Sequence, residues 1–277
     1  MLPVLFVHGL IGPFAEERTL SQLQPSVLLA PDLLGYGADA DVAADSITID
    51  AQVAYVQAAV ERAVGESRVH LVAHSVGFVI AATFAHRFPE RVAKLVSVEG
   101  NFTLADAFWS AQLARMTPGE VHDLLESDRR DPQRWLRDAG VHASAGHVRA
   151  AAEALAFQPS TTLQAMARAV VEYTGEPAYE RLLKAVFART PVHLVAGARS
   201  RAGWDVPRWA LHSAAGYTEV PRRRPHGDAR SARGVRPDAG CAPQGLSGPA
   251  VGLRGGHGRT VTADGYRARR PPGRAPR

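Results

Sequence analysis

One serine in this sequence stands where a buried-type strand passes directly into a helix of small residues. The segment reads Val69-His70-Leu71-Val72-Ala73-His74-Ser75-Val76-Gly77. Such a junction needs a sharp turn, which lifts the hydroxyl clear of the sheet and demands small residues two positions before and after it. Ala73 and Gly77 meet that demand. A serine lifted clear in this way can act as a nucleophile if a histidine accepts its proton and an acid orients that histidine. Many other strand-to-helix turns share this spacing, so the motif alone does not assign the role.

Two further motifs follow apolar runs that precede this serine. His8-Gly9 ends the first run, and Pro31-Asp32-Leu33-Leu34-Gly35-Tyr36-Gly37 follows the second. In this order the three motifs resemble the α/β-hydrolase family, specifically its lidded lipase, esterase and carbon-carbon hydrolase type, over about residues 2–221. The resemblance implies that Ser75 attacks the carbonyl group of an ester. It also implies that the backbone N–H groups of Leu10 and Val76 form the oxyanion hole.

The acid of the expected triad has two candidates. The resemblance places it soon after the strand at residues 191–196, but Ser200 stands at that point. An alternative place within the family is the end of the preceding strand, where Glu99 follows an apolar run. We therefore expect Glu99 to be the acid and keep Asp205, farther along the later loop, as the second candidate.

The expected histidine is His226, which lies within one residue of its usual place after the last strand. Its surroundings, Arg222-Arg223-Arg224-Pro225-His226-Gly227, do not fit the family. One explanation is a natural basic tail. The other is a shifted reading frame, because codons can be chosen for residues 222–239 that, read one nucleotide forward, encode the family-like ending Gly-Ala-Gly-His-Met-Val-Met-Leu-Glu. A shifted chain has lost its original base, so a decayed or non-catalytic protein that binds a small hydrophobic ligand is the alternative to a serine hydrolase.

Composition divides the chain after Pro221. Residues 222–277 contain 13 Arg and three acids, a charge of +10, so the first 221 residues carry −5 of the overall +5. The tail has no Phe, Trp, Ile or Met. It is therefore expected to be disordered, because it has too few large apolar side chains to offset the entropy of ordering. Its arginines suit electrostatic binding of nucleic acid, but Tyr266 is its only aromatic residue, so nucleic acid is not the expected partner.

The elements that must position these residues alternate between strand and helix patterns as far as residue 102. Apolar residues at helical spacing between residues 49 and 64, for example, separate two short apolar runs. The alternation predicts an α/β fold with a mostly parallel sheet and helices on both faces. Functional residues of such a sheet collect at the carboxyl ends of the strands.

From residue 103 to residue 189 the pattern is helical only. It includes Thr117-Pro118-Gly119-Glu120, which has the spacing of a capping box, and Asp131-Pro132 as a further helix start. The predicted organisation is an α/β-hydrolase core of residues 1–102 and 190–221, a helical lid of residues 103–189, and the basic tail of residues 222–277.

Other observations limit the class of protein. A single cysteine, Cys241, argues against a disulfide framework, and no His and carboxylate set has metal-ligand spacing, so neither a metal nor a cofactor is expected. The longest apolar stretch is interrupted by His70, His74 and Ser75, so no membrane span is expected. Without signal-peptide features at the start of the sequence, a cytoplasmic location is the default.

The expected partner is a small acyl substrate, whose identity the sequence leaves open together with the oligomeric state. Haloalkane dehalogenation is disfavoured because that chemistry uses a carboxylate nucleophile at the turn where this chain has Ser75. Carbon-carbon bond hydrolysis, cofactor-free haloperoxidase chemistry and acyl transfer stay open, because they share the triad and differ in lid and pocket.

Overall fold

The computed structural model describes residues 2–13, 27–141 and 143–221. The predicted tail, including His226, lies outside the described residues. The strands are β1 (Val4–Val7), β2 (Leu28–Leu29), β3 (Val69–His74), β4 (Val92–Val98), β5 (Val192–Gly197) and β6 (Gly216–Val220). The helices are α1 (Ile49–Val64), α2 (Gly77–Arg87), α3 (Phe108–Arg115), α4 (Pro118–Arg130), α5 (Pro132–Asp138), α6 (Ala145–Ala156), α7 (Ser160–Gly175), α8 (Pro177–Arg189) and α9 (Arg208–Ser213).

Within the described ranges, six strands form one sheet in the order β2-β1-β3-β4-β5-β6, and every neighbouring pair is parallel. The strands β3 and β4, which precede Ser75 and Glu99, are neighbours at its centre, and His74 pairs with Val98 at their carboxyl ends. The two candidate catalytic residues therefore leave the sheet side by side. The prediction of an α/β fold with a parallel sheet is confirmed.

The helix that follows Ser75, α2, is the most buried helix of the core. Every residue from Gly77 to Ala85 is buried, and the helix contacts β1, β3 and β4. Its small residues let it lie close to the sheet, with α1 and α8 packed on its sides. The first residue of α2, next to Ser75, is thereby fixed relative to three strands.

The signals at the ends of α1 are local. The side chain of Thr48 accepts a hydrogen bond from the N–H group of Ala51, and Gly65 ends the helix with a φ of 58°. An oxygen-bearing residue before the first turn and a glycine after the last one are the usual helix boundaries. The bounds of α1 therefore follow directly from the sequence.

Between β4 and β5 the described chain is helical from α3 to α8. The capping box at Thr117 is confirmed, because its side chain accepts from the N–H of Glu120 while the Glu120 carboxylate accepts from the N–H of Thr117.

The turn between α6 and α7 contacts loops of the core. There Gly37 N–H donates to the carbonyl of Phe157 (2.9 Å) and Gly12 N–H to the side chain of Gln158 (3.3 Å).

Candidate active site

Ser75 lies in a strained turn between β3 and α2. Its φ is 51°, a left-handed value that costs free energy in a residue with a side chain. The Ser75 N–H donates to the carbonyl of Val98 (3.0 Å), and its carbonyl accepts from the N–H of Phe78 (3.0 Å). The side chain is half-buried at the carboxyl end of the sheet.

Gly77 explains how this turn fits against the sheet. A Cβ atom on Gly77 would lie within 3.0 Å of the carbonyl oxygens of Val7 and His8, which are backbone atoms of and after β1. No side chain can be accommodated there without moving the strand. The requirement for a small residue two positions after Ser75, predicted from the sequence, therefore has a direct steric cause.

The loop after β1 places Leu10 at the same edge of the sheet. Leu10 is buried, and its carbonyl accepts a hydrogen bond from the hydroxyl of Tyr36 (3.1 Å). The ring of His8 lies between two carbonyl oxygens, with Nδ1 2.8 Å from Gly9 O and Nε2 3.0 Å from Asp32 O. Burial lowers the pKa of His8, against the opposing effect of the two carbonyls and of the Asp32 charge.

His8 controls the peptide that carries the Leu10 N–H. When Nδ1 bears the proton, it donates to Gly9 O and fixes the plane of the peptide between Gly9 and Leu10. In a trans peptide the N–H and C=O groups point in opposite directions, so the Leu10 N–H then points away from the His8 ring. Val76, the second residue expected to donate, immediately precedes α2, where backbone N–H groups lack partners within the helix.

Glu99 lies in a second strained turn, at the end of β4. Its φ is 48°. The carboxylate oxygen Oε1 of Glu99 accepts two hydrogen bonds, one from the N–H of Gly197 (2.7 Å) and one from the hydroxyl of Ser200. The Glu99 carboxylate thus reaches into the loop after β5. It lies beside Ser200, which stands where the family resemblance places an acid.

The two strained turns are joined by main-chain hydrogen bonds. Besides the bond from Ser75 N–H to Val98 O, the N–H of Asn101 donates to Ser75 O (3.3 Å). Glu99 N–H in turn donates to Val195 O of β5 (3.0 Å). The turns that carry Ser75 and Glu99 therefore hold each other in place.

Two aromatic residues hold the Glu99 turn from outside the strand. The indole N–H of Trp204 donates to Gly100 O (2.7 Å), and the hydroxyl of Tyr179 donates to Asn101 O (2.7 Å). Both side chains are buried, and burial raises the pKa of Tyr179 well above its ordinary value. The sequence reasoning missed both residues, because no local pattern links them to Glu99.

Asp205, the second candidate acid, has different partners. Its carboxylate accepts from the hydroxyl of Thr103 (2.9 Å), and its N–H donates to the carboxylate of Asp106 (2.6 Å). Its side chain is exposed. The structure thus directs Asp205 toward the start of the helical segment, whereas the contacts of Glu99 are with the loop after β5.

His74 precedes Ser75 on β3 and is acted on by the charge of Glu99. Burial lowers the pKa of His74, while the nearby carboxylate opposes that shift.

Among residues 2–13, 27–141 and 143–221, no group of three or more His, Cys, Asp or Glu side chains is placed to hold a metal ion. No helix in these ranges is long and apolar enough to cross a membrane.

The chain is similar to known proteins of the alpha/beta hydrolase fold. The family model described as alpha/beta hydrolase fold matches residues 3–131. A carboxylesterase structure from the thaumarchaeon Nitrososphaera gargenis is 12% identical, with a TM-score of 0.57 over 79% of this chain and 81% of that one. An epoxide hydrolase from Bacillus megaterium is 19% identical, with a TM-score of 0.57 over 80% and 85%. The chain therefore has the α/β-hydrolase fold.

Two curated relatives are lipases. The chain is 26% identical over 133 residues to Lipase 3 of Moraxella sp. (strain TA144), which is 47% of this chain and 41% of the relative. It is 27% identical over 118 residues to Lipase 1 of Psychrobacter immobilis, which is 42% and 36%. The match thus spans about two fifths of the length of these relatives.

Proposed function

We propose that the protein is a serine hydrolase that acts on a carboxylic ester of a small acyl substrate. The observation that carries the proposal is the pair of joined turns, in which Ser75 and Glu99 both have positive φ at the carboxyl ends of neighbouring strands. Strained backbone of this kind persists where the surrounding structure fixes it, and it clusters at active sites. The distant likeness to two lipases supports an ester as the substrate.

In the proposed reaction the Ser75 hydroxyl attacks the ester carbonyl carbon while a histidine takes its proton. The charge that develops on the carbonyl oxygen is stabilised by the N–H groups of Leu10 and Val76, each contributing about 3 kcal/mol to the transition state. The histidine then protonates the leaving alcohol. A water molecule then attacks the acyl-enzyme while the histidine takes its proton, and the histidine returns that proton to the Ser75 oxygen as the carboxylic acid leaves. In both steps Glu99 orients the histidine and stabilises its charged form.

His226 is the proposed base, and it lies outside the described residues. The strand before it, β6, ends at Val220 and pairs with β5, whose loop holds the Glu99 carboxylate. His226→Ala in this chain tests the assignment, and unchanged ester turnover would contradict it. Sequencing the gene tests the shifted frame, because a natural tail predicts codons that give no hydrolase-like ending in either other frame.

The helices between β4 and β5 form the proposed lid, within residues 103–189. Two contacts support this role: Phe157 O accepts from Gly37, and the side chain of Gln158 accepts from Gly12, two residues after Leu10. The helical segment thus contacts the loop that carries a proposed oxyanion donor. In this proposal residues 1–102 and 190–221 are the core, and the lid selects the substrate.

Replacing the nucleophile tests the proposal directly. Ser75→Ala should lower the hydrolysis of a chromogenic ester by about 10⁴-fold or more and abolish covalent labelling by a fluorophosphonate probe. Ser46→Ala, which changes an exposed serine elsewhere, is the matched control. Turnover that survives Ser75→Ala would refute the assignment. Binding of a hydrophobic ligand without labelling of the wild-type chain would favour the non-catalytic alternative.

A further inference from the structure

Three successive peptide groups of the loop after β1 are each held by a buried side chain. His8 Nδ1 lies 2.8 Å from the carbonyl oxygen of the peptide that carries the Leu10 N–H. The Tyr36 hydroxyl donates to Leu10 O (3.1 Å) in the next peptide. Gln158 Oε1 accepts from the N–H of Gly12 (3.3 Å) in the peptide after that. The three side chains are no more than 3% exposed, so water does not replace these contacts.

The third of these side chains comes from a different part of the molecule than the first two. His8 belongs to the loop itself, and Tyr36 belongs to the loop after β2. Gln158 lies between α6 and α7, 146 positions along the chain from Gly12. The orientation of the Gly12 peptide therefore depends on the helical segment between β4 and β5.

The ring of Phe157, next to Gln158, fits between two glycines of the core. A Cβ atom on Gly12 would lie 2.8 Å from Phe157 Cδ1, and a Cβ atom on Gly37 would lie 2.8 Å from Phe157 Cε2. The ring also meets the His8 ring edge-on, with the centroids 6.0 Å apart. Glycine at both positions lets the ring approach, so packing places the Gln158 amide beside the loop after β1.

Arg129 on α4 holds the same turn from the other side. Its Nε donates to Leu155 O (2.9 Å), and its Nη2 donates to Gln158 O (2.6 Å). Its Nη1 donates to the Glu126 carboxylate (2.7 Å). The guanidinium group is planar and rigid, so these bonds fix the turn relative to α4.

We propose that Gln158 is a positioning residue for the oxyanion hole, which it serves by holding the Gly12 peptide. This inference rests on the proposed hydrolase function. Oxyanion donors are effective because they are oriented before the charge develops. Without the Gln158 acceptor the loop is held at its first two peptides only, and the Leu10 N–H samples orientations that turn away from the oxyanion. The helical segment thereby contributes to the rate of acyl transfer.

Replacing the amide by a side chain of similar size tests this role. Gln158→Met should lower kcat about tenfold and change KM by less than about twofold, because the lost orientation matters in the transition state. Affinity for a boronic acid, which binds Ser75 as a tetrahedral adduct, should fall by the same factor. Gln133→Met, which changes an exposed glutamine on α5, should leave kcat and this affinity unchanged.

Titration of active sites with a fluorophosphonate separates positioning from folding. A residue needed only for folding would lower the number of active sites and leave kcat per site unchanged, whereas Gln158→Met should lower kcat per site. A wild-type chain with neither turnover nor labelling would contradict the hydrolase function. An active wild type with unchanged kcat per site in Gln158→Met would contradict the role of Gln158 alone.

Hydrogen exchange of the Gly12 amide tests the bond itself without any need for activity. In full-length Gln158→Met this amide should exchange about tenfold faster than in the wild type, because its acceptor is gone. Exchange as slow as in the wild type would overturn the proposal.

A second variant covers the case in which Gln158→Met does not fold. Arg129→Met removes the bonds to Leu155 O and Gln158 O and keeps the Gln158 amide, so kcat per site should fall about threefold. Arg130→Met, which changes the exposed neighbour, is the control and should leave kcat per site unchanged. Unchanged kcat per site in Arg129→Met would then overturn the proposal.

Discussion

The two strained turns at the centre of the sheet are alike in backbone but are held in different ways. The Ser75 turn is fixed mainly by close packing, because Gly77 lies against the backbone of β1 and α2 starts at once. The Glu99 turn is fixed by distant residues, namely Gly197, Ser200, Trp204 and Tyr179. The Ser75 turn therefore depends on close packing, and the Glu99 turn depends on individual polar bonds.

This difference has a consequence for evolution of the site. Close packing against backbone leaves few permitted residues, so the serine turn carries a recognisable sequence motif. Polar bonds from separate loops can be exchanged one at a time, so the position of the acid is free to change. In this chain the proposed acid, Glu99, directly follows β4, with Ser200 beside it on the loop after β5.

Among the changes that compare the two turns, the largest expected effect comes from moving the carboxylate between Glu99 and Ser200. Glu99→Gln should lower kcat for ester hydrolysis by about 10³-fold, because a neutral side chain cannot stabilise the charged histidine. Adding Ser200→Asp to this variant should restore part of the rate, because the new carboxylate starts beside the old one. Ser200→Asp alone is the control, measured by steady-state kinetics.

Asp205→Asn is the competing test of the acid. Its carboxylate bonds to Thr103, so this variant should lose much less activity than Glu99→Gln. A larger loss in Asp205→Asn, or full activity in Glu99→Gln, would contradict the assignment of Glu99.

A smaller effect is expected from adding a methyl group to each turn. Gly77→Ala should destabilise the protein by about 1–3 kcal/mol, because its Cβ meets backbone that cannot move aside. Gly100→Ala should cost a similar amount, because its Cβ would lie 2.5 Å from Cβ and Cγ of the buried Phe78 and from Oγ of the buried Ser97. Urea unfolding midpoints measure both changes.

Gly119→Ala serves as the matched control for these glycine variants. This glycine lies in the first turn of α4 with nothing within 4 Å of an added Cβ, so the change should stabilise the helix by about 0.5–1 kcal/mol. A stability loss in Gly77→Ala no larger than the change in Gly119→Ala would contradict the close packing of Gly77 against β1.

The smallest effect is expected from removing one distant bond. Tyr179→Phe deletes the hydroxyl that donates to Asn101 O and leaves a buried carbonyl without that donor, which should cost about 1–2 kcal/mol of stability. Tyr55→Phe is the control, because its hydroxyl bonds to Asp39 in a more exposed place. A loss in Tyr179→Phe no larger than in Tyr55→Phe would show that the Glu99 turn does not need this bond.

Local signals explain what the sequence predicted well. The helical spacing of residues 49–64 matches α1, and the capping box at Thr117 sets the start of α4, because in each case the signals lie within a few residues. The partners of Glu99 are about a hundred residues away along the chain. Trp204 and Tyr179 could therefore not be connected to the site until the strands were placed next to each other.

The packing of Gly77 against β1 also sets a condition on folding. The turn after Ser75 can pack in its final place only when residues 7 and 8 lie beside β3, some seventy positions away in the chain. Pairing of strands so distant in sequence carries a loop-closure cost and is a slow event in folding. We therefore expect the turn that carries Ser75, the proposed nucleophile, to form late in folding, after the helices and together with the assembled sheet.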